Sequence, residues 1–367
     1  RTHKPEVSGS IPLPATKNMI KFSNQFFITI LLILLIDFFF GTYLLKLTPK
    51  KINPTRNHNI YDHDLKRKFK ATFEWAPGET YFFCTDKNSF RTFCNNQDNS
   101  SKEYDIAFIG DSFTEGVGLE YKNTFVGKIT KELNDLKIAN LGVVSYSPSI
   151  YYSKLKYLID NGYRFERVVI YFDISDIYDD NNKYRLVDNK IYRKKSVILS
   201  KIQKNLKSAF PFLAYSTKAI KNDFFTKIFK KQKVVSSCNY LDYCHEKSSW
   251  TFNDKYFKEK QIEKSLNYLE MTYNFLKEKN IKMSLGVYPW PAQIMHDEEN
   301  SKVVKLMQKF CLNKCEYFFN NFPDFYKELK NYERETIVSK YYIKNDVHFN
   351  ALGNHMLFEN FIKNFKH

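Results

Sequence analysis

One serine, one aspartate and one histidine, far apart in the chain, have the types and the order needed to make a hydroxyl nucleophilic. Ser112 follows Asp105-Ile106-Ala107-Phe108-Ile109-Gly110-Asp111, an apolar run that breaks at glycine. Asp346 and His348 stand in Asp346-Val347-His348-Phe349-Asn350-Ala351-Leu352-Gly353 near the C-terminus. In acyl transfer the histidine takes the serine proton while the acid holds the imidazole tautomer. A serine where a strand meets a helix gains more, because its own N–H and the helix N-terminus favour a nearby oxyanion. Taken alone, Gly110-Asp111-Ser112 also fits a plain turn with Asp111 or Ser112 as a helix cap. The alternate spacing of Asp346 and His348 puts both side chains on one face of an extended segment.

Two further blocks fall at strand ends. Gly142, in Ala139-Asn140-Leu141-Gly142, lets a backbone N–H approach a substrate oxygen with no side chain in the way. Tyr171-Phe172-Asp173-Ile174-Ser175-Asp176 closes a third strand, and sites in open parallel sheets collect at such carboxyl ends. Asp176, Asp179 and Asp180 fit a metal cluster on type alone. No histidine stands near them, so they are read as a solvated acidic loop, and no metal is expected. His355 is read as helix surface.

These residues need a scaffold of alternating strands and helices. Strands are expected at Asp105–Ile109, Lys137–Leu141, Val168–Phe172, Met283–Tyr288 and, short, Tyr317–Phe319. Helices are expected at Thr124–Leu136, about Ser149–Asn161, Phe257–Glu278, about 299–311, and from about Ala351 on. Apolar runs with helices between them point to a parallel sheet buried on both faces. Residues 48–103 are a polar, basic lead-in to a domain over 104–367. Residues 177–255 are lysine-rich and less regular, and read as an insertion with a helix near 196–208.

Residues 26–45, FFITILLILLIDFFFGTYLL, match one bilayer crossing and are read as an uncleaved signal anchor within 19–47. Asp37 opposes this by ~2.5–3.5 kcal/mol, offset by the Leu, Ile and Phe around it. Lys46, Lys50, Lys51 and Arg56 after the run favour a cytoplasmic C-terminal part by the positive-inside rule. The six cysteines fall in three local pairs, 84/94, 238/244 and 311/315, which favour disulfides and hence the periplasmic or extracytoplasmic side. The cysteines are given more weight, because lysine is abundant everywhere in this chain. Residues 1–18 read like translation upstream of a start at Met19: Gly9-Ser10-Ile11-Pro12 resembles a translated transfer-RNA 3′ end.

The net charge of +17 would suit a polyanion. But Lys, Asn, Ile, Phe and Tyr abound while Gly and Pro number only 11 each, as AT-rich codons would give. The lysines are spread along the chain and no nucleic-acid-binding motif is present, so no nucleic-acid partner is expected.

In combination, the blocks resemble the SGNH (GDSL-type) hydrolase superfamily, in particular its membrane-anchored bacterial members, over about 104–365. Ile106 to Gly116 is similar to the first block, Asn140-Leu141-Gly142 to the second, and Asp346-Val347-His348-Phe349-Asn350 with Gly353 to the last. The resemblance implies a flavodoxin-like α/β/α sandwich. It implies Ser112 as nucleophile, His348 as base, Asp346 as its orienting acid, and Ser112 and Gly142 N–H groups in an oxyanion hole. Two departures stand out. Ser175 occupies the place of the family's oxyanion-hole asparagine, in Asp173-Ile174-Ser175-Asp176. The acid–histidine spacing is shortened, with Asn345 in the usual acid position. The implied activity is ester hydrolysis or O-acyl transfer on an acylated cell-envelope glycan or a lipid ester, without a cofactor. O-acetyl transfer to polysaccharide and a non-catalytic polysaccharide-binding role are the alternatives.

Overall fold

The computed structural model describes residues 24–39, 52–76, 79–194, 210, 241–242 and 246–366. The chain divides into two compact units, Arg1–Lys51 with Ile198–Val234, and Ile52–Val197 with Val235–His367. In the first, residues 24–39 are helical and expose Phe26, Phe27, Ile28, Leu31, Leu32, Ile33, Ile36 and Phe39. Among the described residues no helix is long and apolar enough to cross a membrane. The apolar run continues through residues 40–45, which lie outside the described residues, as does the expected helix near 196–208.

The second unit opens with two hairpins, β1 (Thr55–His58) with β2 (Asp62–Leu65) and β3 (Lys70–Ala76) with β4 (Glu79–Cys84). A five-stranded parallel sheet follows, made of β5 (Glu103–Gly110), β6 (Ile138–Asn140), β7 (Arg164–Phe172), β10 (Lys282–Val287) and β11 (Phe318–Asn320). Between β7 and β10 lies a small hairpin, β8 (Tyr184–Val187) and β9 (Lys190–Arg193). The sheet order is β11-β10-β7-β5-β6. Counted within the sheet this is 2-1-3-4-5, the flavodoxin-like doubly wound order. Parallel strands joined by right-handed crossovers carry their helices on both faces. Phe125–Glu132 packs with the C-terminal helix Ala351–Asn364, and Pro148–Asp160 packs with Glu259–Glu278.

The central strands are fully buried through Ile106–Ile109 and Val168–Phe172, which is why they read as unbroken apolar runs. β7 starts four residues before that run, at Arg164. There pairing with Glu103 and Tyr104, not apolarity, sustains the strand. Phe108 packs against Phe125 and Phe361, joining β5 to the helices of one face.

Residues 52–103 are built into this unit. The Lys154 ammonium, buried in the Pro148–Asp160 helix, reaches Asp64 at 3.0 Å, and the Tyr146 hydroxyl donates to His63 O at 2.7 Å. Arg91 is buried over the Phe83 ring, at 4.0 Å. Cys84–Cys94 and Cys311–Cys315 are bonded, while Cys238 and Cys244 lie outside the described residues.

One expectation is corrected. Asp176, Asp179 and Asp180 are not a solvated loop: they are buried in a helix, Asp176–Asn182. Hydroxyl donors make this tolerable. Ser147 and Ser265 donate to Asp180 at 2.7 and 2.9 Å and Tyr151 to Asp176 at 2.9 Å, while Asp179 pairs with Lys183 at 2.6 Å.

Candidate active site

β5 ends at Gly110, and the next residues turn into the short helix Ser112–Glu115. Asp111 caps it, its carboxylate accepting the Phe113 N–H at 2.9 Å. Gly116 closes it in the left-handed region at φ 81°, where glycine carries no Cβ penalty. Ser112 is thus the first helical residue, and its N–H has no partner within the helix.

His348 comes from the loop before the C-terminal helix. That helix is capped by Asn350, whose side chain accepts the N–H groups of Leu352 at 2.9 Å and Gly353 at 3.1 Å. At Gly353 a Cβ would lie 2.3 Å from Tyr341 O, so the asparagine and glycine of the last block are there for the backbone. Asp346 and His348 share a turn, not a strand: Asp346 Oδ1 accepts the His348 backbone N–H at 3.2 Å.

The structure brings Ser112, His348 and Asp346 into one line. Ser112 Oγ is 2.8 Å from His348 Nε2, and His348 Nδ1 donates to Asp346 Oδ1 at 2.6 Å. The imidazole sits between two rings, Phe113 at 4.9 Å and Trp75 edge-on at 5.7 Å. Trp75 Nε1 also donates to Asp346 Oδ2 at 2.6 Å. A register shift in the β3–β4 hairpin between Glu74 and Ala76 falls at this residue, and such bulges re-aim side chains. Burial alone would raise the Asp346 carboxyl. The hydrogen bonds and charge of His348, with the indole N–H of Trp75, hold it below the usual carboxylate range. Asp346 is therefore ionised and faces a doubly clamped imidazole, the arrangement that fixes Nδ1–H and leaves Nε2 to accept the serine proton.

Behind the serine, Asp111, Asp173 and Asp176 are buried, with one oxygen of each within 4.8 Å of the others. They are close enough to share a cation or to share protons. Donors already face nearly every oxygen. Tyr288 and the Phe113 N–H face Asp111; Trp290 Nε1 at 2.5 Å and the Ser175 N–H at 2.8 Å face Asp173; Tyr151 faces Asp176. Only Asp176 Oδ1 lacks a partner. That favours protons. Burial first, then mutual repulsion, lifts Asp111 and Asp176 well above the usual range, and burial raises Asp173. Ser112 Oγ is 3.2 Å from Asp111 Oδ2, and a neutral Asp111 leaves the serine proton to His348.

The other expected oxyanion donors are placed as follows. Gly142 packs on the nucleophile turn, where a Cβ would lie 2.6 Å from Glu115 N. Its N–H donates to Asn140 Oδ1 at 3.0 Å. Ser175 caps the next helix, and its N–H donates to Asp173 Oδ1 at 2.8 Å. Of the expected donors, the Gly142 N–H has an internal acceptor, while the Ser112 N–H has none among the described residues. Glu115 ties the Gly142 loop to the nucleophile turn by accepting the Val144 N–H at 2.7 Å, and His63 Nε2 holds Val144 O at 2.8 Å. Burial pushes the Glu115 carboxyl up to about 7, against the Val144 N–H and Arg91.

Sequence reasoning missed Trp75, Glu115 and the aspartate cluster. Pro77-Gly78 between the alternating runs 70–76 and 79–84 is a hairpin signal, but nothing local ties Trp75 to Asp346, 271 residues away. His355 is exposed on the last helix, 3.5 Å from Glu359.

No family model matches the chain, and no curated protein matches it in sequence. Among solved structures it is similar to a lipolytic protein of the G-D-S-L family from Veillonella parvula DSM 2008, at 9% identity and TM-score 0.39, over 71% of this chain and 96% of that one. It is similar also to a catalytic mutant of Axe2, an acetylxylan esterase from Geobacillus stearothermophilus, at 12% identity and TM-score 0.39, over 71% of this chain and 93% of that one. A third likeness is to the psychrotrophic esterase EstA from Pseudoalteromonas sp., at 9% identity and TM-score 0.38, over 72% and 96%.

Proposed function

We propose that this chain is a serine esterase or acyl-transfer enzyme of the SGNH type, working through a seryl ester. The observation that carries the reading is the unbroken line from Ser112 Oγ through His348 to Asp346, at 2.8 and 2.6 Å. His348 removes the Ser112 proton as Oγ attacks an ester carbonyl, and the Ser112 N–H faces the developing oxyanion. His348 then protonates the leaving alcohol, leaving an acyl-serine. The acceptor, water or a sugar hydroxyl, gives its proton to His348 as it attacks the acyl carbonyl, and His348 passes that proton to Ser112 Oγ as the acyl–Oγ bond breaks.

The substrate read here is an O-acyl group on a cell-envelope glycan. Its support is the resemblance to anchored members and the Trp75 ring, 43% exposed beside His348, which suits the C–H face of a sugar. Tethering to a membrane, with the enzyme on the extracytoplasmic side, is supported by the apolar run at 26–45, by the exposed apolar side chains of its helical part, and by two disulfides. A second reading, a glycan-binding protein without turnover, is favoured by the internal engagement of the Gly142 N–H.

The test is acetate release from an aryl acetate and from acetylated oligosaccharides, with and without a free oligosaccharide acceptor. Turnover that falls ~10³-fold or more in Ser112→Ala supports the enzyme. Acetylated acceptor as the main product identifies a transferase. Saturable oligosaccharide binding without turnover supports the second reading.

A further inference from the structure

A second concave site lies at the opposite end of the sheet from Ser112. Its walls include Lys102, just before β5, and Tyr163, just before β7. β5 is 8 residues long, so roughly 25 Å of strand separates it from the nucleophile. The cavity holds about 180 Å³. Drug-sized ligands need roughly 300 Å³ or more, so its occupant is small.

The chemistry of its lining is one-sided. Asp64 is the one carboxylate there, and its oxygens are already claimed. They accept from Lys154 at 3.0 Å, the Tyr61 hydroxyl at 2.8 Å and the Leu65 N–H at 2.9 Å, with Arg56 at 3.5 Å. Two cations thus share one buried anion before the remaining bases are considered. Arg67 is exposed and has no ion-pair or hydrogen-bond partner among the described residues. Lys102 gives one proton to Asn161 O at 3.0 Å and lies 5.4 Å from the Tyr163 ring, leaving two donors unused. Arg56 uses Nε on Leu65 O and Nη2 on Ser89, leaving Nη1.

His58 adds to the donor set. Its Nδ1 accepts the N–H groups of Ile60 and Tyr61 at 3.3 and 3.4 Å, so the ring proton sits on Nε2. Burial first, then Arg56, Lys154 and Arg67 against the opposite pull of Asp64, pushes this imidazole down to about 4 and keeps it neutral. The cavity therefore offers guanidinium, ammonium and imidazole N–H donors with no free carboxylate to balance them. Forked guanidinium donors beside an ammonium match the oxygens of a tetrahedral oxyanion.

We propose that this cavity binds a phosphate-class oxyanion, either the free ion or the phosphate of a polyol headgroup. The site is independent of the esterase reading and shares no residue with it.

The experiment is calorimetric titration of the full chain in non-ionic detergent with inorganic phosphate and, separately, with glycerol 3-phosphate. Both are repeated in Arg67→Ala, Lys102→Ala and, as a control of equal charge loss on an exposed residue elsewhere, Lys309→Ala. Thermal melts check that each variant is folded. One-site binding that weakens about tenfold in Arg67→Ala and in Lys102→Ala, and is unchanged in Lys309→Ala, supports the site. Tighter binding of glycerol 3-phosphate assigns it to a headgroup, and tighter inorganic phosphate to the free ion. No saturable binding of either up to about 10 mM overturns the proposal, as does equal weakening by Lys309→Ala, which would reduce the effect to net charge.

Discussion

Trp75 makes the acid of the proposed catalytic line dependent on the hairpin that precedes the sheet. Its N–H is one of the donors that keep Asp346 ionised. Trp75→Phe keeps a ring beside His348 and removes only that donor. A hydrogen bond to a charged group is worth about 1.5–3 kcal/mol, so kcat on an aryl acetate should fall at least about tenfold. The Asp346 carboxyl should also rise, moving the acid limb of the pH–rate profile to higher pH. A lower kcat with an unmoved acid limb would make Trp75 merely structural. Asp111 gives the opposite expectation. If burial keeps it neutral, Asp111→Asn copies it: Oδ1 still accepts from Phe113 and Tyr288, and the amide still reaches Ser112. Activity within about tenfold of the parent is expected, since no catalytic charge is lost. A loss of ~10³-fold would mean that the ionised carboxylate is needed.

Among the elements, the loop Gly142–Val144 is fixed to the nucleophile turn by Glu115, and this link titrates. Glu115 ordinarily ionises near 4.5 and in the folded protein near 7, so between these values the native state holds the extra proton. The stabilisation is full below 4.5 and is lost as pH rises through 7, about 3 kcal/mol at most. Glu115→Gln keeps an oxygen for the Val144 N–H and removes the titration. The difference in melting temperature between variant and parent should therefore move in favour of the variant from pH 4.5 to pH 8. Parallel profiles would place the proton elsewhere. The sheet and its helices were legible from sequence because buried parallel strands are continuous apolar runs and the last helix announces itself with Asn350. Ser112, Asp346 and His348 were legible because each lies in a short block whose neighbours shape the local backbone. The acidic residues after β7 were misread because charge suggests exposure. What buries them is donated by Tyr151, Ser147 and Ser265, on other elements, which no local pattern displays.

As a whole, the molecule joins an apolar N-terminal segment to a compact unit that begins at Ile52 and already contains the complete catalytic line. The proposed tether and the proposed chemistry are then separable. The chain from Ile52 onward should remain in the supernatant after high-speed centrifugation with an unchanged kcat, while the full chain sediments with membranes. A full chain that stays soluble without detergent would remove the anchor from the account. The charge of +17 needs no polyanion to explain it, because the lysines follow composition along the whole length. Beside Arg56 and Arg67, Lys102 lines the cavity proposed above for an oxyanion.

The central claim is that Ser112 is an activated nucleophile. A fluorophosphonate probe, with the modified peptide mapped by mass spectrometry, tests it before any substrate is known. One adduct per chain on Ser112, lost in His348→Ala, is the predicted result. A folded protein that takes up no probe at Ser112 would contradict the claim and leave the binding reading in its place.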